Sequence, residues 1–155
     1  MASPPTIALG GDHAGLPLKR AIAEALQADG LQVLDFGTNE PSSVDYPDFA
    51  HQVAAAVAGG RARFGVLVCG SGIGMAIAAN RHRGIRAAVL HDSTEARLSR
   101  AHNDANIAAF GARLTGPEVA LDALRAFLAT PYEGGRHARR VAKLSPPGPQ
   151  GATDS

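Results

Sequence analysis

Cysteine is reduced to a single residue in this chain, Cys69, among 155 residues. One thiol excludes an internal disulfide framework and leaves a reducing, cytoplasmic setting as the expectation. An excess of charge of either sign is also missing. Fifteen Lys and Arg stand against 14 Asp and Glu, a net charge of +1, so there is no electrostatic case for a nucleic-acid partner. No apolar run approaches the length of a membrane span, and Met1 to Pro5 has the form of neither a signal peptide nor an anchor. Aromatic residues make up 5%, whereas glycine is abundant, with 18 residues. That balance fits an α/β protein with tight βα turns and close helix–sheet packing. The length and the 45% hydrophobic content fit one domain with a real core. Lysine is scarce too: 13 of the 15 basic residues are arginine, the better bidentate partner for phosphate, although genomic composition produces the same bias.

What is present centres on Val66 to Asn80. The stretch begins as an apolar, β-branched run suited to a strand buried on both faces. It breaks into Gly70-Ser71-Gly72-Ile73-Gly74 and resumes from Met75 to Ala79 in good helix formers. Strand, glycine loop and helix together aim backbone N–H groups at an anion, a phosphate or another oxyanion. The same spacing also serves as a plain tight turn. No Gly-Lys-Ser/Thr follows, which excludes a P-loop, and the loop's place well into the chain does not suit a dinucleotide fingerprint. Cys69 lies at the strand end, on the lip of the loop.

Around this stretch the chain alternates strand and helix. Strands are expected at Thr6–Leu9, Gln32–Asp35, Val66–Cys69, Ala87–Leu90 and Ile107–Phe110. Helices are expected on the stripe Leu18, Ile22, Leu26, on Ala50, Val53, Ala54, Val57 opened by Pro47, and on Leu121, Leu124, Leu128. Asp92 or Ser93 is placed to cap a helix running to about His102, Thr115-Gly116-Pro117-Glu118 has the form of a capping box, and a short last helix spans about Gly135 to Lys143. This alternation predicts a doubly wound, Rossmann-like α/β domain over 1–144, with a parallel sheet covered on both faces, and a disordered Pro/Gly/Ser-rich tail over 145–155.

Ligands in such sheets bind outside the carboxyl ends of the strands. Three polar clusters fall there: Asp12-His13 after the first strand, Cys69 to Gly74 after the third and Arg113 after the fifth. Each has an ordinary reading as well. Asp12 and His13 serve equally as turn residues, a lone cysteine usually packs, and His102-Asn103 suits a helix C-terminus. Arg136 and Arg140, one turn apart, suit a solvated helix face. His51, His82 and His91 read as surface or structural. No histidine–carboxylate spacing suggests a metal, and none is expected. Taken together, a cysteine base, a histidine, an amide cradle and three arginines suit proton transfer on a sugar phosphate.

Six motifs in order make the reading specific: Gly11-Asp12-His13-Ala14-Gly15, Asp45-Tyr46-Pro47, Cys69-Gly70-Ser71-Gly72-Ile73-Gly74, Gly84-Ile85-Arg86-Ala87-Ala88, His102-Asn103-Asp104-Ala105-Asn106 and Tyr132-Glu133-Gly134-Gly135-Arg136-His137. On these motifs the chain resembles the ribose-5-phosphate isomerases of the B type, in the family that also holds galactose-6-phosphate isomerase subunits. The resemblance implies a three-layer α/β/α sandwich with a five-stranded parallel sheet. It implies a cofactor-free aldose–ketose isomerase of ribose 5-phosphate working through a cis-enediolate, with a six-carbon sugar phosphate, allose or galactose 6-phosphate, as the alternative substrate. It also implies a homodimer or tetramer whose active sites are shared between subunits. By motif, Cys69 is the base and His102 opens the furanose ring. Asp12, His13, Tyr46 and Asn103 contact the sugar. The amides of Gly70, Ser71, Gly72, Ile73 and Gly74 hold the enediolate oxygens, and Arg113, Arg136 and Arg140 bind the ligand, the last two its phosphate. Met75 stands where a cysteine-less branch of the family has a glutamate, which puts this chain in the cysteine branch.

Overall fold

Leu18, Ile22 and Leu26 recur every four residues and are all buried, which makes one face of the first helix an apolar stripe that must find a sheet. In the computed structural model, which describes residues 3–147, that sheet has five parallel strands: β1 (Thr6–Gly11), β2 (Gln32–Asp35), β3 (Phe64–Cys69), β4 (Ala87–Val89) and β5 (Ile107–Gly111). Six helices connect and follow them: α1 (Leu16–Ala28), α2 (Tyr46–Ala58), α3 (Ile73–Ala79), α4 (Ser93–Asn103), α5 (Pro117–Ala129) and α6 (Ala138–Ala142). The strand order is β2-β1-β3-β5-β4, so β1, β3 and β5 are the three central strands.

Alternation along the strands divides the core in two. Ile7, Leu9, Val66, Val68, Ala108 and Phe110 face α1, α4 and α5 and meet Leu18, Ile22, Ala96, Leu124 and Phe127. Ala8, Leu67, Cys69, Ile107 and Ala109 face α2 and α3 and meet Ala50, Val53, Met75 and Ala79. The expected three-layer sandwich with its five-stranded parallel sheet is therefore present.

Several boundaries differ from the sequence expectation. β1 continues through Gly10 and Gly11, and β5 through Gly111, because parallel neighbours hold these glycines in register. β3 starts two residues early, at Phe64, paired to Ile7. α3 starts at Ile73 instead of Met75, because Gly72 takes the N-cap position in a left-handed conformation with φ 79°. Asp92, rather than Ser93, caps α4, its Oδ1 accepting the Glu95 N–H at 2.8 Å. Thr115 caps nothing: it is buried, its own N–H bonds the Gly111 carbonyl, and Gly116 is the N-cap of α5. The last expected helix is a 3₁₀ turn over Gly135–His137 followed by the short α6. In the expected tail, 145–147 carry no helix or strand, and 148–155 lie outside the described residues.

Among the largest fully buried side chains is a charged one, Lys19 of α1. Its Nζ donates to both carboxylate oxygens of Asp35 at 2.8 and 2.7 Å and to Asn39 Oδ1 at 3.0 Å, which satisfies all three ammonium protons. Asp35 Oδ1 also accepts the Gly37 N–H at 2.8 Å, and Gly37 and Thr38 exchange backbone hydrogen bonds with Gly11. The end of β1, where Asp12 and His13 begin, is thus held through one buried cation. Removing one member of a buried ion pair costs about 3–5 kcal/mol. Asp35 is part-exposed, so Lys19→Ala is expected at the low end, about 3 kcal/mol, measured as a fall in urea unfolding free energy.

Candidate active site

The central strands β1, β3 and β5 carry three polar clusters at their carboxyl ends. Because β1 adjoins β3 and β3 adjoins β5, the clusters are neighbours in space, and β1/β3 is where the chain, having turned outward to β2, reverses direction across the sheet. A cavity of about 590 Å³ opens there, lined by Asp12, His13, Tyr46, Cys69, Gly70, Ser71, Ile73, Gly74 and Arg113, with Ala14, Ile77 and Leu114 completing the wall. Met75 is fully buried in the core behind the loop.

Each polar group is held by backbone of its own or a neighbouring segment. The Asp12 N–H bonds the Val68 carbonyl at 3.2 Å, and its Oδ1 accepts the Gly15 N–H at 3.0 Å. The His13 Nδ1 accepts the Val44 N–H at 3.2 Å, so the neutral ring carries its proton on Nε2, a donor. Cys69 Sγ accepts the Gly72 N–H at 3.1 Å. The Ile73 N–H is taken by Ser71 Oγ at 3.2 Å, whereas the Ser71 and Gly74 amides have no acceptor in the chain among the described residues. Arg113 is anchored by its N–H to the Gly70 carbonyl at 3.0 Å.

Two loop glycines are required for different reasons. At Gly72 the φ of 79° is a left-handed one, and a Cβ would stand 2.9 Å from the Phe110 carbonyl carbon of β5. At Gly74 a Cβ would stand 2.5–2.7 Å from the far end of the Tyr46 ring, so the missing side chain lets that ring lie over the loop.

His102, Asn103, Arg136 and Arg140 do not line this cavity. α4 runs back from the carboxyl end of β4, and its last turn, with His102 and Asn103, precedes β5 at the amino edge of the sheet. The five residues of β5, at about 3.3 Å each, separate that turn from the Cys69 edge. A second constellation forms here. Arg100, buried, bonds Asp104 Oδ1 at 2.9 Å and the Ala105 carbonyl at 2.6 Å, and Asp104 closes α4 with φ 49°. The Glu133 N–H bonds the Ala101 carbonyl at 3.1 Å, which brings the Tyr132 to His137 segment onto α4. There the His102 and His137 rings stack at 4.3 Å and 14°, and Arg140 Nη1 bonds the Arg136 carbonyl at 3.0 Å. Burial first, then the neighbouring charges of Arg136 and His102, hold His137 below the usual histidine range, and Glu133 pulls the other way.

Sequence reasoning missed His137 and Glu133. It found no metal spacing, yet potential ligand atoms of His102, Glu133 and His137 all lie within 4.8 Å of one another. The sequence signal was only the separation of Glu133 and His137 by four residues, and the contact is made by a glycine turn through Gly134 and Gly135, not by an α-helix. His51, His82 and His91 are in exposed contacts, as expected: His51 bonds His82 at 2.7 Å and His91 bonds Glu95 at 2.9 Å. No helix among the described residues is long and apolar enough to cross a membrane.

Comparison with known proteins decides the lineage. The ribose/galactose isomerase family model matches residues 7–144. The chain belongs to the ribose/galactose isomerase family. Ribose-5-phosphate isomerase B of Escherichia coli is 48% identical over 139 residues, covering 90% of this chain and 93% of that protein. A D-erythrulose-4-phosphate isomerase of Pectobacterium atrosepticum is 43% identical over 141 residues, with 90% and 92% covered. The solved ribose-5-phosphate isomerase B of Clostridium thermocellum superposes with a TM-score of 0.89 at 51% identity, covering 90% of this chain and 94% of that one. The family's fold is thus the fold described above.

Substitution at the two glycines separates backbone from side-chain demands. Gly72→Ala forces a left-handed alanine against β5 and is expected to cost about 2 kcal/mol or more in urea unfolding. Gly74→Ala meets only a movable ring, so it is expected to cost less while shifting the Tyr46 ring, read as a change in tyrosine fluorescence or ring NMR signals.

Proposed function

We propose that the chain is an aldose–ketose isomerase that interconverts ribose 5-phosphate and ribulose 5-phosphate in the cytoplasm, without a cofactor. The observation that carries this reading is Cys69 in the wall of the strand-end cavity, followed by the glycine loop, with Asp12 and His13 on the neighbouring β1 end and Arg113 on the neighbouring β5 end. The names of the relatives at 48% and 51% identity support the five-carbon substrate.

In the open-chain aldose the Cys69 thiolate removes the C2 proton. The electron pair forms the C1–C2 double bond of a cis-enediolate, and the C1 oxygen takes up the charge. The free amides of Ser71 and Gly74 are the donors assigned to that charge, and such donors typically supply the largest part of catalysis. The proton held on Cys69 Sγ returns to C1, the C2 hydroxyl proton passes to the C1 oxygen as the C2 carbonyl forms, and the ketose results with the thiolate regenerated. The His13 Nε2–H and Asp12 orient the sugar hydroxyls, and Tyr46 packs against them.

His102 opens the furanose ring, Asn103 contacts the sugar and Arg136 and Arg140 hold the phosphate, all four from a second copy of the chain. Two observations support this division. These residues sit at the opposite sheet edge from Cys69. The rim of the Cys69 cavity carries Ile73, Ile77 and Leu114, exposed by 53%, 54% and 63%, an apolar border suited to being covered.

Cys69→Ala is expected to abolish isomerisation while ribose 5-phosphate still protects against thermal unfolding; turnover near the wild-type rate overturns the cysteine-base mechanism. A panel of four-, five- and six-carbon sugar phosphates in a coupled assay tests the substrate, with the highest kcat/KM expected for ribose 5-phosphate. Unfolding and refolding an equal mixture of Cys69→Ala and His102→Asn chains tests the shared site. Half of random dimers are mixed and each holds one intact site of two, so about a quarter of wild-type activity is expected. Activity no higher than that of the separate variants overturns the division between copies.

A further inference from the structure

His137 is buried, 9% exposed, and its Nε2 has no hydrogen-bond partner among the described residues. A buried nitrogen without a partner is costly. Glu133 Oε2 lies 3.4 Å away, at ion-pair distance but not in hydrogen-bonding geometry. That spacing has another use. A tetrahedral zinc-type ion with bonds of about 2.0–2.1 Å places adjacent donor atoms roughly 3.3–3.4 Å apart. His137 Nε2 and Glu133 Oε2 therefore already span one edge of such a polyhedron. His102, stacked on His137, brings a third donor, and the three potential ligand atoms lie within 4.8 Å of one another. The longer edges close by side-chain rotation of the half-buried His102 and the exposed Glu133, while His137 stays fixed in its pocket.

We propose that His102, Glu133 and His137 form a binding site for a zinc-class divalent cation, and that the bound cation inhibits isomerisation by occupying His102. Two imidazoles and one carboxylate match the borderline donor preference of zinc and cobalt. Three protein ligands leave a fourth position for water or another exogenous ligand. Arg136, beside His137, opposes the cation's charge, so the site exchanges its ion instead of holding it as a structural one. Binding of the cation is independent of the function proposed above. Its inhibitory effect rests on that reading, in which His102 is the ring-opening residue.

The experiment uses the full chain freed of metal by chelator and dialysis. Cobalt(II) titration of the wild type is expected to give one equivalent per chain with a visible d–d absorption of tetrahedral intensity. Glu133→Gln and His137→Asn are each expected to weaken binding by about tenfold or more, whereas Cys69→Ala keeps the band. Glu133 is exposed, so its variant stays informative if His137→Asn fails to fold. In parallel, zinc is expected to inhibit ribose 5-phosphate isomerisation, chelator to restore it, and the inhibitory concentration to rise about tenfold or more in both variants, each normalised to its own uninhibited rate. Deuterium exchange at C1 of ribulose 5-phosphate, which needs Cys69 but no ring opening, is expected to persist under zinc. No saturable cobalt binding, or binding unchanged in both variants, overturns the site. Cobalt binding with no effect of zinc on an active isomerase overturns the inhibitory step. Cobalt binding to a chain that isomerises no sugar phosphate overturns the proposed function and with it the inhibitory step, and leaves the metal site standing.

Discussion

In an all-parallel sheet every crossover helix must carry the chain from the carboxyl edge back to the amino edge. That constraint sorts the side chains of this molecule more firmly than any single contact. Residues on the turns after β1, β3 and β5 collect at one edge, and residues in the last turn of α4 are delivered to the other. Asp12, His13, Cys69, the glycine loop and Arg113 fall in the first group, and His102 and Asn103 in the second. Arg136 and Arg140 join the second because the Glu133 N–H ties their segment to the end of α4. A site that needs both groups must be assembled from two copies, which is the arrangement proposed.

Burial does the local positioning. The carboxyl-edge cavity is walled by loops whose polar atoms are committed to neighbours: Asp12 to Gly15, His13 to Val44, Ser71 to Ile73. Asp12, His13 and Ser71 themselves line the cavity. At the other edge Arg100 stacks over Phe64 and bonds the α4 terminus, so the turn bearing His102 is braced by a buried guanidinium. Both edges therefore rest on buried cations, Lys19 for the β1 loop and Arg100 for the α4 end, each paired to a part-exposed carboxylate.

Much of this was legible in the sequence because it is local. Continuous apolar runs marked the strands, four-residue apolar stripes marked the helices, and Cys69 before Gly-x-Gly-x-Gly marked the cavity. Strand order was not legible: β5 sits between β3 and β4 through non-local pairing, and only that order puts Arg113 beside Gly70. Thr115 had the form of a cap but was drawn into the core by its bond to Gly111. The distinct duties of Gly72 and Gly74 depend on Phe110 and Tyr46, each distant in sequence. The stack of His102 on His137 joins residues thirty-five positions apart through a backbone bond that no spacing rule contains. The family resemblance supplied the roles proposed for His102, Asn103, Arg136 and Arg140, which periodicity alone read as an ordinary helix end and a solvated helix face.

In the shared site proposed above, the separation of His102 from Cys69 within one chain makes competence a matter of dilution. A site completed by a neighbour exists only while the copies are associated, so the rate per chain depends on total protein concentration. Above the dissociation constant of the assembly, velocity grows in proportion to protein; well below it, velocity grows as the square. Substrate that bridges the two halves binds the assembled form alone, so it tightens the association by mass action and shifts that crossover toward lower protein concentration.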